Sequence, residues 1–271
     1  MENFPSGVPQ GSVLGPQLFT IFIDDIDRTV NSKLSKFADD TKLGKIVNNV
    51  SQASELQLDL DKLYDWSKQW LMEFNLDKCV CMQMGSKTDN FQYNIGGTIL
   101  KTVDKETDLG VVIDKNFKFT EQCALAVKKA NQMLGIIKRK IKYKSKDVIV
   151  KLYKTLVRPH LEYCVQLWSP FLKSDVKLLE GVQRRALKMI NGYSNINYAE
   201  RLNKSGLITL EKRRVRGDLI HMFKMSRNLI RFNQMFLINN TVSLRGNHLK
   251  IFKTRCKLNR RTNFVNQRFV N

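Results

Sequence analysis

The strongest constraint on this chain is Phe37-Ala38-Asp39-Asp40, two adjacent carboxylates set between two short strand-like runs. Leu34 and Phe37 precede the pair, and Leu43 and Ile46 follow it after a polar break. The pattern predicts a tight β-hairpin over 33–47 with Asp39 and Asp40 at its tip. Two anions side by side repel, and burying them unpartnered costs roughly several kcal/mol or forces one to take a proton. A hard divalent cation with oxygen ligands relieves that repulsion. An ion held in this way is the working part of nucleotidyl transfer. Taken alone, the pair reads more simply as a solvated turn.

A second segment changes that balance. Gly7-Val8-Pro9-Gln10-Gly11-Ser12-Val13-Leu14-Gly15-Pro16 places three glycines and two prolines within ten residues, then opens an apolar run from Leu18 to Ile26. Glycine lets backbone approach a ligand closely, and Pro16 suits the first turn of a helix. By itself the segment is equally a rigid loop capping a helix. Ile23-Asp24-Asp25 also pairs two aspartates, but Leu18, Phe19, Phe22 and Ile26 recur at helical intervals. Asp24 and Asp25 are therefore expected to be solvated residues near a helix end.

Together the two segments resemble one family. Gly7 to Pro16 looks like the nucleotide- and template-contacting motif of reverse transcriptases, and Phe37-Ala38-Asp39-Asp40 looks like their aromatic-x-Asp-Asp metal motif. Trp70 to Met82, Asp108-Leu109-Gly110-Val111, Leu156 to Cys164 and Gln183-Arg184-Arg185-Ala186 fit the LINE-type, non-LTR retrotransposons of the jockey clade, in the right order. The resemblance implies an RNA-directed DNA polymerase using Mg²⁺ or Mn²⁺, an RNA template, a DNA primer and deoxynucleoside triphosphates. It implies Asp39 as a metal-ligating carboxylate at the primer end, with Asp40 beside it. It places Phe37 as a brace under the primer, Ala38 as the residue that leaves it room, and Gln10 and Gly11 along the incoming nucleotide and its templating base. Lys78 follows Asn75-Leu76-Asp77 at a helix-to-strand corner where this family carries a lysine; there it would serve the departing pyrophosphate.

One departure stands out. The family places a further metal-binding aspartate on a strand well upstream of the glycine loop, and only Met1 to Ser6 precede that loop here. The expectation is a fragment lacking the N-terminal polymerase segment and its fingers, and inactive alone.

Charge divides the chain. Residues 1–120 carry a net charge of −4, residues 121–271 a net of +25, giving +21 in all. A slightly acidic part for metal and nucleotide, followed by a basic part that grips a polyanion, is one reading. A basic region that touches a membrane or a ribosome is another. The five cysteines (Cys79, Cys81, Cys123, Cys164, Cys256) have no disulfide or zinc spacing. They point to a reducing, intracellular setting, with nucleus and cytoplasm unresolved. No signal peptide or membrane-spanning run is present, so no membrane partner is expected.

Periodicity predicts an α+β fold, an antiparallel sheet with helices over 1–120 and then a helical region; the resemblance implies that these are a partial polymerase palm and a thumb-like region. A helix is expected over 14–29, and another over Ser51–Phe74 capped by Ser51 or alternatively Ser54, with Leu56, Leu60, Leu63, Trp66, Trp70 and Leu71 as its buried stripe. Leu76–Met84 reads as a strand on which Cys79 and Cys81 share a face. Gly96-Gly97 marks a hairpin, and Leu109–Ile113 reads as a buried strand. Over 121–225, three helical stripes follow: Val127 to Ile141, Val148 to Val157, and Val176 to Ile190. Lys128, Lys138, Arg139, Arg184 and Lys188 lie on outer faces as candidate nucleic-acid contacts. Tyr143, Tyr153, Tyr163 and Trp168 read as core packing before base stacking. Residues 226–271 form a basic, weakly patterned third segment.

Two further functional readings remain open at this point. One is a non-catalytic nucleic-acid-binding remnant. The other is an organelle-type intron maturase, against which Arg158-Pro159-His160 favours the retrotransposon kind.

Overall fold

The structure, a computed structural model of the 271-residue chain, describes residues 8–9, 11–85, 91–227, 229–230, 255–256, 259–263 and 265–268. The chain divides into two compact units, Met1–Asp104 and Lys105–Asn271. The fold is mixed α and β. Among the described residues the strands form four separate two-stranded ladders, three antiparallel and one parallel, where one antiparallel sheet is expected from sequence.

In the first unit, α1 spans Gly15–Phe22 with Pro16 in its first turn, and the Ser12 hydroxyl accepts the Gly15 N–H at 3.1 Å. The helix is shorter than the expected 14–29, because a 3-10 segment takes over at Asp24–Thr29. Lys36 explains the stop: its Nζ donates to the carbonyls of Ile23 (3.0 Å) and Asp24 (3.3 Å) and pairs with Asp27. Carbonyls captured by a cation are satisfied without a further helical turn.

β1 (Lys33–Phe37) and β2 (Asp40–Gly44) then pair with Leu34 opposite Leu43 and Phe37 opposite Asp40. Leu34 and Leu43 turn inward onto a small core of Ile23, Ile26, Leu63 and Trp66. Across the ladder, Lys33, Ser35 and Phe37 face outward, which is the period-two pattern of a half-buried strand.

α2 (Val50–Gln69) is capped by Asn49, whose side chain accepts the Gln52 N–H at 2.9 Å, while Gln52 accepts the Asn48 N–H at 2.7 Å. These two bonds place the cap two residues before the expected Ser51. Leu60, Leu63 and Trp66 are buried as the stripe predicts, Leu56 is only partly covered, and Ala53, outside the expected stripe, is buried with them. Trp70 and Leu71 are not: the helix ends at Gln69, and Leu71 turns the chain at φ 53° with its side chain in solvent.

The expected strand 76–84 shrinks to β3 (Val80–Cys81), because Asn75 and Leu76 accept the amides of Lys78 and Cys79 and wind Leu76–Lys78 into a 3-10 turn. β4 (Asn94–Ile95) and β5 (Thr98–Ile99) form the hairpin about Gly96-Gly97, and β6 (Lys101–Thr102) lies parallel to β3. Cys79 and Cys81 both pack against the core of Ala53, Leu60, Tyr93, Ile95 and Leu100.

The second unit opens on a hairpin, β7 (Lys105–Asp108) and β8 (Val111–Asp114). Leu109 and Gly110 form its turn, both at positive φ, as a two-residue turn matching strand twist requires. The run 109–113 is therefore bent where a straight strand is expected, and Val111 alone of it is fully buried. Asp114 gathers the amides of Asn116, Lys118 and Phe119 at 2.9–3.0 Å and so shapes the approach to α3.

α3 (Thr120–Lys140) and α7 (Lys173–Lys188) are the long helices around which α4 (Lys146–Leu152), α5 (Arg158–Glu162), α6 (Val165–Trp168), α8 (Tyr198–Ser205) and α9 (Leu210–Ser226) pack. The stripes on α3 and α7 bury as predicted, apart from the partly covered Ile141 and Val176. The middle stripe is corrected. Val148 and Leu156 are exposed, while Ile149, Val150, Tyr153 and Val157 are buried. A π-turn at Tyr153–Val157 rotates the frame just before Pro159, which has no N–H to continue the α pattern.

Beyond residue 226, α10 (Asn259–Thr262) and α11 (Val265–Arg268) are described, and Arg268 pairs with Asp218 of α9. The rest of the segment 226–271 lies almost wholly outside the described residues. Among those residues, no helix is long and apolar enough to cross a membrane.

Candidate active site

The β1–β2 hairpin carries the two carboxylates as the sequence predicts. Its two-residue turn is Ala38-Asp39, and Asp40 opens β2 opposite Phe37. Ala38 sits at φ 51°, a left-handed conformation that residues with a Cβ adopt at a cost of roughly 1 kcal/mol. Asp39 and Asp40 are both exposed. Among the described residues, neither side chain makes an ion pair or a hydrogen bond, so their four oxygens stand open. Phe37 is 62% exposed beside them. α1, the helix after the glycine loop, buries none of its residues and leaves Leu18, Ile21 and Phe22 exposed as well.

The base of the hairpin is held where the tip is free. Lys36 ties β1 to the end of α1 through the Ile23 and Asp24 carbonyls and Asp27. Asp59 of α2, 1% exposed, receives the Ser32 amide at 2.8 Å, the Ser32 hydroxyl at 2.6 Å, the Asn31 amide at 3.2 Å and Lys62 at 3.1 Å. Burial pushes this carboxyl up, but the four donors outweigh it and hold the pKa down at about 2, against an ordinary 3.8. Sequence reasoning passed over Asp59. The available signal was an acid lodged inside the apolar stripe of α2 between Leu56 and Leu63.

Asp25 departs from the expectation of a freely solvated residue. It is half-buried and accepts the Trp66 indole N–H at 3.1 Å; Asp24 is exposed and lies 3.7 Å from Arg28. Neither joins the hairpin tip in a described contact.

Gln10 lies outside the described residues. Gly11 is exposed at φ 85°, with open space where a Cβ would stand. Lys78 is exposed at the end of its 3-10 turn, and no described bond joins it to Asp39 or Asp40. Among the described residues, no group of three or more His, Cys, Asp or Glu side chains comes together.

In the second unit, Lys128, Lys138, Arg139, Arg184 and Lys188 are all exposed. Lys128 and Arg139 flank a shallow groove of about 550 Å³ floored by Gly135 and Ile136. Arg185 reaches across from α7 to bond Asn131 of that groove at 3.0 Å. Arg184 instead lies over the Tyr198 ring, 4.6 Å from its centroid. Tyr153 and Trp168 are fully buried and cannot stack on a base. Tyr143 and Tyr163 are exposed, with the Tyr163 hydroxyl donating to Leu109 O at 2.8 Å.

Comparison with known proteins bears on the family of the chain. Residues 3–137 match the family model described as reverse transcriptase (RNA-dependent DNA polymerase). The RNA-directed DNA polymerase from mobile element jockey of Drosophila melanogaster is 28% identical over 207 residues, covering 71% of this chain and 22% of that protein. Its counterpart in Drosophila funebris is 28% identical over 204 residues (69% and 22%). A probable RNA-directed DNA polymerase from transposon BS of Drosophila melanogaster is 26% identical over 200 residues (68% and 22%). The chain belongs to the reverse transcriptases, of the non-LTR, LINE-type retrotransposon kind. It spans about a fifth of the length of these curated relatives. No solved structure matches it.

Proposed function

We propose that the chain is the metal-binding part of an RNA-directed DNA polymerase, with Asp39 and Asp40 as carboxylate ligands of Mg²⁺ or Mn²⁺. The observation that carries this reading is a firmly anchored hairpin whose strained turn and first β2 residue hold two exposed carboxylates, both without a partner among the described residues. Backbone strain that persists at a tip is a mark of functional sites. An all-oxygen donor pair suits a hard cation, which takes six or more oxygens. Two adjacent carboxylates supply only part of such a shell, so nucleotide phosphates and further protein oxygens complete it.

Bound there, the ions would stabilise the attacking and leaving oxygens of an in-line displacement at phosphorus. The residues of the chain do the positioning. Phe37 offers an apolar face beside the acids, Ala38 keeps the turn narrow, and Gly11 leaves backbone open to a close approach. Lys78 is assigned the neutralisation of departing pyrophosphate. RNA template, DNA primer and deoxynucleoside triphosphates are the substrates, and the exposed apolar residues of α1 and Phe37 form a surface for covering polymerase segments.

Two carboxylates cannot wrap two ions, so the 271-residue chain by itself is expected to extend a primer weakly or not at all. The test is Mn²⁺ binding, followed by paramagnetic broadening of the hairpin resonances. Broadening centred on residues 37–40 and lost in Asp39→Asn supports the reading; broadening that ignores Asp39→Asn overturns it. Strong metal-dependent primer extension by the chain alone would keep the metal site and overturn the inactivity.

A second reading, a nucleic-acid-binding remnant without catalysis, is favoured by the exposed basic groove on α3. It expects salt-sensitive binding to nucleic acid with no metal effect at the hairpin.

A further inference from the structure

Helix α9 runs against the usual rule of burial. An amphipathic helix turns its apolar stripe to the core and its charges to water. In α9 the buried row is Leu210, Arg214 and Asp218, while Val215, Leu219, Ile220 and Phe223 are exposed. Leu219 is 60% exposed and Phe223 58%, so these are open side chains and not the rim of a core. The inversion is held from the inner side. Arg268 donates to both carboxylate oxygens of Asp218, at 2.8 and 3.1 Å, and to Gln166 O at 3.0 Å; Arg213 donates to Glu162 at 3.0 Å. The helix cannot roll its apolar side inward without giving up these charge-assisted bonds.

The exposed arc carries charge of one sign. Lys212, Arg216, Lys224 and Arg227 stand among the four apolar side chains, with the Arg227 guanidinium 5.7 Å from the Phe223 ring centroid. None of these cations pairs with an acid among the described residues, and Glu211 in the first turn is the only exposed acid of the helix. Val215, Leu219 and Phe223, spaced by four, form a ridge about 12 Å long. Such a ridge is the element that seats in the groove of a crossing helix.

Charge and pattern select the occupant. A second copy of this face would set lysine and arginine against lysine and arginine, which costs affinity. A nucleic-acid strand would be drawn by the cations, but Val215, Leu219 and Ile220 offer it neither a hydrogen bond nor an aromatic face. A helix lying in a membrane surface separates its apolar and basic faces, whereas here they alternate at neighbouring positions, as in Val215-Arg216 and Phe223-Lys224. An acidic amphipathic helix answers both features, its apolar anchors meeting the ridge and its carboxylates the cations.

We propose that the exposed face of α9 is a docking surface for an acidic amphipathic helix of a partner protein, with Leu219 and Phe223 as the anchors and Arg216 and Lys224 as the charge partners. The surface is independent of the hairpin carboxylates and needs no metal.

The experiment uses the full chain in buffer containing EDTA, which separates it from any failure of the metal reading. The probe is a labelled synthetic helix with leucine at every third and fourth position and glutamate between, followed by fluorescence anisotropy; the same helix with lysine for glutamate is the comparison. The variants are Leu219→Ser with Phe223→Ser, Arg216→Glu with Lys224→Glu, and, as a control for loss of an exposed apolar side chain, Leu58→Ser on α2, with circular dichroism confirming that each is folded. The glutamate helix is expected to bind and the lysine helix to fail. The double serine variant should weaken binding by about tenfold or more, and Leu58→Ser should leave it unchanged. The double glutamate variant should reverse the preference between the two helices, which a purely structural role for α9 would not do.

A glutamate helix that does not bind, or that binds the double serine variant as well as the parent chain, overturns the proposal. So does binding that depends on Leu219 and Phe223 but is seen only with phosphatidylserine vesicles, with an RNA–DNA hybrid, or, by sedimentation, with a second copy of the chain.

Discussion

Ser32 donates both its backbone amide (2.8 Å) and its hydroxyl (2.6 Å) to one carboxylate oxygen of Asp59, twenty-seven residues away on α2. This clasp fixes the start of the strand that leads to Asp39 and Asp40. Its worth depends on the charge of Asp59, whose folded pKa of about 2 lies below the ordinary value. For a carboxyl depressed on folding, the stabilisation is complete above the unfolded pKa near 4 and is lost as pH falls through the folded one. Melting curves are therefore expected to show about 2 kcal/mol of stability disappearing between about pH 4 and pH 2. Asp59→Asn should remove that acid limb and lower stability at neutral pH by a similar amount. An unchanged acid limb in the variant would assign it elsewhere.

Gly96 sits at φ 56° in the β4–β5 turn, and a Cβ there would stand 2.4 Å from the ring edge of Tyr64 on α2. Gly96→Ala combines left-handed strain with a steric clash. The expected cost is about 2 kcal/mol, read as a lowered urea midpoint with unchanged slope. Gly97→Ala meets open space and carries strain alone, so it should cost less.

Gln183 is fully buried at the centre of a polar cluster. It accepts the Tyr153 hydroxyl at 2.8 Å, and its amide nitrogen lies 3.0 Å from both Tyr198 Oη and Ile208 O. Tyr198 in turn donates to Glu180, which also accepts the Leu210 N–H at 2.9 Å. Replacing Gln183 with Leu strands several buried polar groups at once. A loss of roughly 3 kcal/mol is expected in chemical denaturation. A loss within half a kcal/mol would show that water repairs the cluster.

Cys123 is completely buried, and desolvation, with the charge of Asp175 nearby, pushes its thiol up to about 12. Cys164 is exposed, although desolvation and Asp108 raise its thiol too. Alkylation of the folded chain near pH 8, read by peptide mass, should label Cys164 and spare Cys123 until denaturant is added. Equal labelling would contradict the packing of α3. Because thiolate is the reactive form, Cys164 labelling should quicken as pH rises.

Much of this protein was legible in local pattern. The carboxylate hairpin, the Gly96-Gly97 turn and the stripes on α2, α3 and α7 follow from periods of 2.0 and 3.6 that any short window displays. The failures share a cause. Val148 and Leu156 looked buried because an α period was carried through Tyr153–Val157, where the chain widens to a π-turn. The 76–84 strand looked long because its alternation could not reveal that Asn75 and Leu76 accept the amides of Lys78 and Cys79.

What the amino-acid sequence determined by itself is the kind of element at most places and the family to which the motifs belong, since both rest on neighbours in the chain. Tertiary structure alone decided which distant groups meet. It brought Asp59 under Ser32 and Lys36 onto the end of α1, and it turned Arg214 and Asp218 of α9 inward. It also decided that Asp39 and Asp40 stand open to solvent, because exposure is set by everything that packs around a turn and not by the turn's own residues.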